Sequence, residues 1–203
     1  MFAKTPKFIQ LLFPKLVWRK DSLSKEIWLT FDDGPYPEVT PFILSILKKE
    51  NVKATFFLVG QQIEKFPDLT ERIIKNGHLI ANHSYSHKNG WFTSKEKYLN
   101  DIESCQRLMP DNKLFRPPYG KITKTQITLL KEKYKIILWD VLSYDFNQKI
   151  SPKRVQENII KNTTSGSIIV MHNNPVSFNN IQLVLEKSIK KLKAKGYNFS
   201  TSW

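Results

Sequence analysis

Two adjacent aspartates, Asp32 and Asp33, two histidines four residues apart, His83 and His87, and a late third histidine, His172, are the residue types that metal-assisted hydrolysis uses. They sit in five short motifs, in chain order Thr30-Phe31-Asp32-Asp33-Gly34-Pro35, His83-Ser84-Tyr85-Ser86-His87, Arg116-Pro117-Pro118-Tyr119, Asp145-Phe146 and Val170-Met171-His172. Two neutral imidazoles and a carboxylate, with one coordination position open, describe a hydrolytic zinc site. A spacing of four brings both imidazoles to one side of a helical turn or compact loop. Consecutive carboxylates repel each other unless a cation or arginine is near. Their side chains diverge, so one is free to ligate metal while the other faces the reacting water. An Asp-Gly-Pro turn by itself is only a way out of a strand. That reading leaves the doubled carboxylate and the downstream histidines unaccounted for.

The elements that must position these residues alternate along the chain. Glu26 to Phe31 reads as a strand, followed by a helix capped by Thr40 with Pro41 in its first turn. Ala54 to Val59 is a second apolar strand. Pro67 opens a helix that Gly77 ends, and His78 to Asn82 is a third strand. Thr93 and Glu96 form a capping-box signal for a helix reaching about Met109. Leu114 to Arg116 is a strand, Thr125 to Tyr134 a helix, and Lys135 to Asp140 one further strand. Ser151 and Pro152 start a helix, Ser167 to Met171 is a buried strand, Asn180 to Gly196 a long helix and Tyr197 to Thr201 a last strand. Apolar strands separated by helices imply a parallel sheet under helical cover. The expected fold is α/β, a distorted and incomplete (β/α)7-8 TIM-like barrel, with a doubly wound open sheet as the alternative. Asp32, Asp33, His83, Arg116 and His172 all fall where a strand ends, which is where the mouth of a parallel barrel gathers its catalytic groups.

Two hundred and three residues, 40% of them hydrophobic, suffice for one domain with its own core. Cys105 is the sole cysteine, so no intrachain disulfide forms, and its helical surroundings suit a small apolar filler. The net charge of +14 favours anionic partners. The lysines are scattered, however, and no nucleic-acid motif accompanies them, so no nucleic-acid partner is expected. Residues 1–24 read as an N-terminal arm and 25–203 as the catalytic domain. The apolar run Phe8 to Phe13 is short, is stopped by Pro14 and Lys15, and lacks a small-residue cleavage site, which fits a secretory signal poorly. Its Phe8, Leu11 and Leu12 lie at helical spacing, so the arm either packs on the domain or touches a membrane surface. A cytoplasmic monomer, at or near the inner membrane surface, is the expectation.

The five motifs in this order resemble those of the polysaccharide deacetylases, metal-dependent carbohydrate esterases, over roughly Ile27 to Phe199. The resemblance implies that Asp33, His83 and His87 bind the metal, usually zinc, with cobalt or nickel as substitutes. It makes Asp32 the general base, oriented and kept ionised by Arg116, and His172 the acid that protonates the leaving amine. Tyr119 would supply an oxyanion-binding backbone N–H, beside Pro118. Phe146 and Val170 stand where the family often has Trp and Leu, and both would line the acetyl pocket; Asn173 stands where many relatives carry an acid. Asp145 would orient His172, with Asp140 competing for that role. Trp91, with Phe92 and Tyr36, is a candidate for stacking on sugar, whereas Trp139 and His78 read as structural. The expected activity is removal of N-acetyl groups from amino sugars of a peptidoglycan- or chitin-like glycan or its precursor. Deacylation of a non-sugar amide or O-acetyl ester, and non-catalytic glycan binding, are the alternatives.

Overall fold

Every second residue of the strands faces the same side, and this period of two decides which side chains enter the barrel. The computed structural model describes residues 2–21, 24–110 and 112–203; of the expected arm, Met1, Ser22 and Leu23 lie outside the described residues. Strands β1 (Glu26–Asp33), β2 (Thr55–Leu58), β3 (Leu79–Asn82), β4 (Leu114–Phe115), β5 (Lys135–Ile136), β6 (Val141–Leu142), β7 (Ile168–His172) and β8 (Asn198–Phe199) form one sheet. Its order is β5-β4-β3-β2-β1-β7-β6, with β8 on the first residues of β1, and every pair is parallel. Around it lie α1 (Lys7–Leu12), α2 (Val39–Lys49), α3 (Gly60–Lys65), α4 (Pro67–Lys75), α5 (Lys95–Gln106), α6 (Lys124–Leu130), α7 (Pro152–Asn162) and α8 (Phe178–Ala194).

The sheet has to curl. Its edge strands β5 and β6 stand at opposite ends of the order, yet the chain passes from Ile136 to Val141 in a span of at most about 18 Å. Flat, seven strands would hold those edges about 29 Å apart. The result is an incomplete (β/α) barrel rather than a doubly wound open sheet. One set of alternating residues, Trp28, Phe57, Ala81, Leu114, Ile137 and Ile168, packs inside the barrel. The other set, including Leu29, Phe31, Phe56, Leu58, Ile169 and Met171, meets the helices. Thr30 and Asp32 continue the inward row of β1, and His172 that of β7.

Three sequence expectations need correction. Lys135 to Asp140 is not one strand: it divides into β5 and the approach to β6, because its backbone groups are taken by other partners. Val17 N–H donates to Ile136 O (2.9 Å), Leu138 N–H to Val17 O (2.7 Å) and Thr5 N–H to Asp140 O (2.8 Å). The arm thus sews the seam between the two sheet edges. Thr40 is not a helix cap but lies inside the first turn of α2, where its hydroxyl accepts from Tyr36 N–H and donates to Asn173 Oδ1 (3.0 Å). The Thr93–Glu96 capping box does not form, since the Thr93 hydroxyl donates to Asn89 O; Ser94 precedes α5 instead. A capping box does form at Thr123 and Gln126, ahead of α6.

Candidate active site

Parity and strand length bring the chemistry to one end of the barrel. Asp32 is inward and buried, and its Oδ1 accepts from Arg116 Nη1 at 2.6 Å. Asp33 comes next and by alternation points outward. Its backbone adopts φ +82°, a left-handed conformation unusual for a side-chain-bearing residue. That turn swings the carboxylate to the mouth, where Oδ1 lies 3.1 Å from His87 Nε2 and 3.6 Å from His83 Nε2. Asp32 Oδ2 lies 3.9 Å from the same His83 nitrogen. Burial works against the Asp33 charge, but the hydrogen bonds from His83 and His87 hold its carboxyl well below the usual range.

The histidines sit on a compact loop after β3, not on a helix, with Ser84 at φ +63° and His87 at φ +54°. Asp101 of α5, which sequence reasoning passed over, holds that loop in shape. It accepts from Ser86 Oγ (2.6 Å), Ser86 N–H (3.0 Å), Tyr85 N–H and Lys88 Nζ (both 3.1 Å). Burial again opposes the charge, and the Ser86 and Lys88 bonds win, lowering the Asp101 carboxyl. The only signal in the sequence was an acid on the inner face of an amphipathic helix.

The donor set fits a metal. Asp33, His83 and His87 each aim one ligand atom at a common point, all within 4.8 Å of one another. His83 Nδ1 lies 2.8 Å from Arg116 O, and His87 Nδ1 lies 3.2 Å from the Tyr119 hydroxyl. Those contacts leave Nε2 of both rings facing inward, the outer-shell arrangement that orients metal-binding imidazoles. Asn174, also missed from sequence, donates through Nδ2 to Asp33 Oδ2 while its Oδ1 accepts from Ser177 N–H (2.9 Å). Its amide is pinned at both ends, and Asp33 is left with Oδ1 toward the histidines.

Arg116 is wholly buried, with its guanidinium stacked 4.0 Å from the Phe57 ring centroid. It donates to Asp32, to Thr30 Oγ1 (2.7 Å), to Ile137 O (3.3 Å) and to Leu138 O (3.1 Å). The last two bonds reach the chain that joins β5 to β6. Burial pushes the Arg116 pKa down and Asp32 pulls it back.

Across the mouth, Asp145 Oδ1 lies 2.7 Å from His172 Nδ1, and Asp145 Oδ2 accepts from His172 N–H at 2.7 Å. Asp140 lies elsewhere: it accepts from Lys4 Nζ (2.6 Å), Ser167 Oγ (3.0 Å) and Ile168 N–H (2.9 Å). Burial alone would discharge His172, but Asp145, with Asp33 and Asp32 beyond it, raises its pKa to about 9. A raised histidine pKa stabilises the fold fully below the unfolded value of 6.5, and that contribution is lost as pH rises through about 9. In the metal-free protein, NMR titration should find His172 near 9, and Asp145→Asn should lower it by about one unit or more. A wild-type value below the ordinary 6.5 of a free histidine would refute this electrostatic account.

The apolar surround is also in place. Phe146 stands edge-on to His172, 5.0 Å between centroids, and Val170 is fully buried in the register of β7 below it. Pro118 is buried at the start of a 3-10 turn, while Tyr119, at φ +60°, is 60% exposed. Trp91 is 57% exposed; its indole N–H donates to Ile122 O and Lys121 lies over its ring at 4.3 Å. Phe92 is exposed beside it, whereas Tyr36 packs against the core and Trp139 against the inner cluster. His78 accepts from Ala54 N–H, and burial lowers its pKa to about 4, so it is neutral and structural.

With this geometry, the chain belongs to the polysaccharide deacetylase family, whose model matches residues 19–134. It is similar to a peptidoglycan-N-acetylglucosamine deacetylase of Bacillus cereus, 39% identical in an alignment 183 residues long that covers 87% of this chain and 66% of the relative. The crystal structure of the Bc1960 peptidoglycan N-acetylglucosamine deacetylase superposes with a TM-score of 0.85 at 35% identity, covering 95% of this chain and 93% of that one. BA3943 of Bacillus anthracis, described as a pseudoenzyme of the same carbohydrate esterase family, superposes at 0.80 with 26% identity, covering 90% of this chain and 65% of that one.

Proposed function

We propose that this protein is a metal-dependent N-deacetylase that hydrolyses the acetamido group of amino sugars in a peptidoglycan-like glycan, releasing acetate and leaving a free amine. One observation carries the reading: Asp32, held against a buried arginine, stands beside a three-donor cluster and across the mouth from a charged His172–Asp145 pair. The substrate class is supported by the names of the relatives just described. Two imidazoles and a carboxylate suit zinc, with cobalt and nickel as substitutes.

Asp33, His83 and His87 hold the metal. When bound, it lowers the pKa of a water and polarises the acetyl carbonyl. Asp32 takes the proton from the attacking water, and Arg116 holds that carboxylate aimed through its 2.6 Å hydrogen bond. The backbone N–H of Tyr119 faces the developing oxyanion. His172 delivers its proton to the amine nitrogen as the C–N bond breaks, because an amide leaves poorly as an anion. Phe146 and Val170 bound the acetyl methyl, and Trp91 offers a face to a neighbouring sugar.

Likeness to a pseudoenzyme favours a second reading, glycan binding without turnover. The complete set of ligands, base and acid in this chain speaks against it. The test is acetate release from N-acetylglucosamine oligomers and peptidoglycan fragments by zinc-loaded protein. Release should vanish when a chelator strips the metal and return when zinc is restored. No release by protein holding one metal per chain would favour the binding reading.

A further inference from the structure

α1 is held out from the protein by anchors on both sides and buries none of its own residues. Before it, Leu142 N–H donates to Ala3 O (2.9 Å) and Thr5 N–H to Asp140 O (2.8 Å). After it, Val17 pairs with Ile136 at the end of β5 and with Leu138 just beyond it, at 2.9 and 2.7 Å. A helix of six residues has no stability of its own in water. Its flanks define it, and they turn its apolar side outward: Phe8 is 62%, Leu11 78% and Leu12 66% exposed. Phe2, at 68%, adds to the same arm. Scattered exposed apolar residues are normal, but three large ones on adjacent turns form a patch.

Charge rims this patch. Lys7 precedes it, Lys15 follows it, and both are exposed. Leu12 and Lys15 share a surface hollow with Lys124 and Thr128 of α6. The apolar turn therefore lies along the outer flank of α6. Among the described residues no helix is long and apolar enough to cross a membrane.

We infer that α1 docks this protein on an anionic lipid surface, inserting Phe8, Leu11 and Leu12 among the acyl chains while Lys7, Lys15 and Lys124 meet the headgroups. An apolar face flanked by lysines on a chain of net charge +14 is complementary to such a bilayer, where a second basic copy would be repelled. Docking of this kind is independent of the hydrolytic reading.

The experiment is vesicle co-sedimentation of the full chain with phosphatidylglycerol-containing and pure phosphatidylcholine vesicles. Wild type should bind the anionic vesicles and release from them as salt rises. Phe8→Ser/Leu11→Ser/Leu12→Ser should weaken partitioning about a hundredfold with an unchanged melting temperature. Lys7→Glu/Lys15→Glu, which leaves the apolar face intact, should weaken anionic binding about tenfold or more and leave neutral vesicles unaffected. Equal binding by the triple variant, no binding by wild type, or self-association in sedimentation velocity that the triple variant abolishes would each overturn the proposal.

Discussion

Asp32→Asn should lower acetate release by about 10²- to 10⁴-fold, the range that a positioned general base contributes, while the protein still binds one metal. The substitution keeps the shape of the side chain. Its amide oxygen still accepts from Arg116 Nη1, which lies 2.6 Å away in the wild type. Asp33, His83 and His87, the cluster proposed to hold the metal, are untouched. What is lost is the capacity to take a proton. The arginine also loses its counter-charge inside the protein, so some stability goes with it. Turnover should accordingly be measured per metal-loaded, folded molecule. Wild-type turnover in that population would remove Asp32 from the role of base.

Arg116→Ala should produce the largest loss of stability, about 3–5 kcal/mol, because the partner carboxylate is then buried and uncompensated. The side chain does more than pair with Asp32. It satisfies Ile137 O and Leu138 O at the seam and stacks on Phe57, so its removal also leaves a void and two bare carbonyls. For a chain of this size such a loss corresponds to a melting temperature lower by roughly 6–20 °C. Arg116→Lys should recover little of it, since one ammonium cannot reach Asp32 and both carbonyls in the plane that a guanidinium spans. Differential scanning calorimetry of the metal-free proteins separates this from any effect on metal binding. A shift of less than about 2 °C for Arg116→Ala would mean that the seam and Asp32 are held by other groups.

Some of the site was legible because strand alternation is local. Given that β1 ends at the two aspartates, Asp32 must share a face with Thr30 and Trp28, and His172 must share one with Val170 and Ile168. That His83 and His87 share one side was legible from their spacing, while the structure chose a compact loop over a helical turn. Other parts depend on contacts between distant segments. Nothing near Asn174 announces that its amide, pinned by Ser177, faces Asp33 from 141 residues away. The choice between Asp140 and Asp145 as the partner of His172 was open for the same reason. Lys4, at the far end of the chain, takes Asp140 and leaves Asp145 to the histidine.

The amino-acid sequence by itself determined the alternation of strands and helices, which side chains of a strand share a row, and the candidates for metal ligands, base and acid. These follow from periodicity and residue type, which act over a few neighbours. Only the tertiary structure decided how Asp33 rejoins the cluster, through a positive φ that the surrounding contacts must support. It alone decided that the strand expected at Lys135 to Asp140 breaks. There the arm takes Ile136 O, Leu138 N–H and Asp140 O while Arg116 takes Ile137 O and Leu138 O, and bonds to an arm more than a hundred residues away leave no local trace.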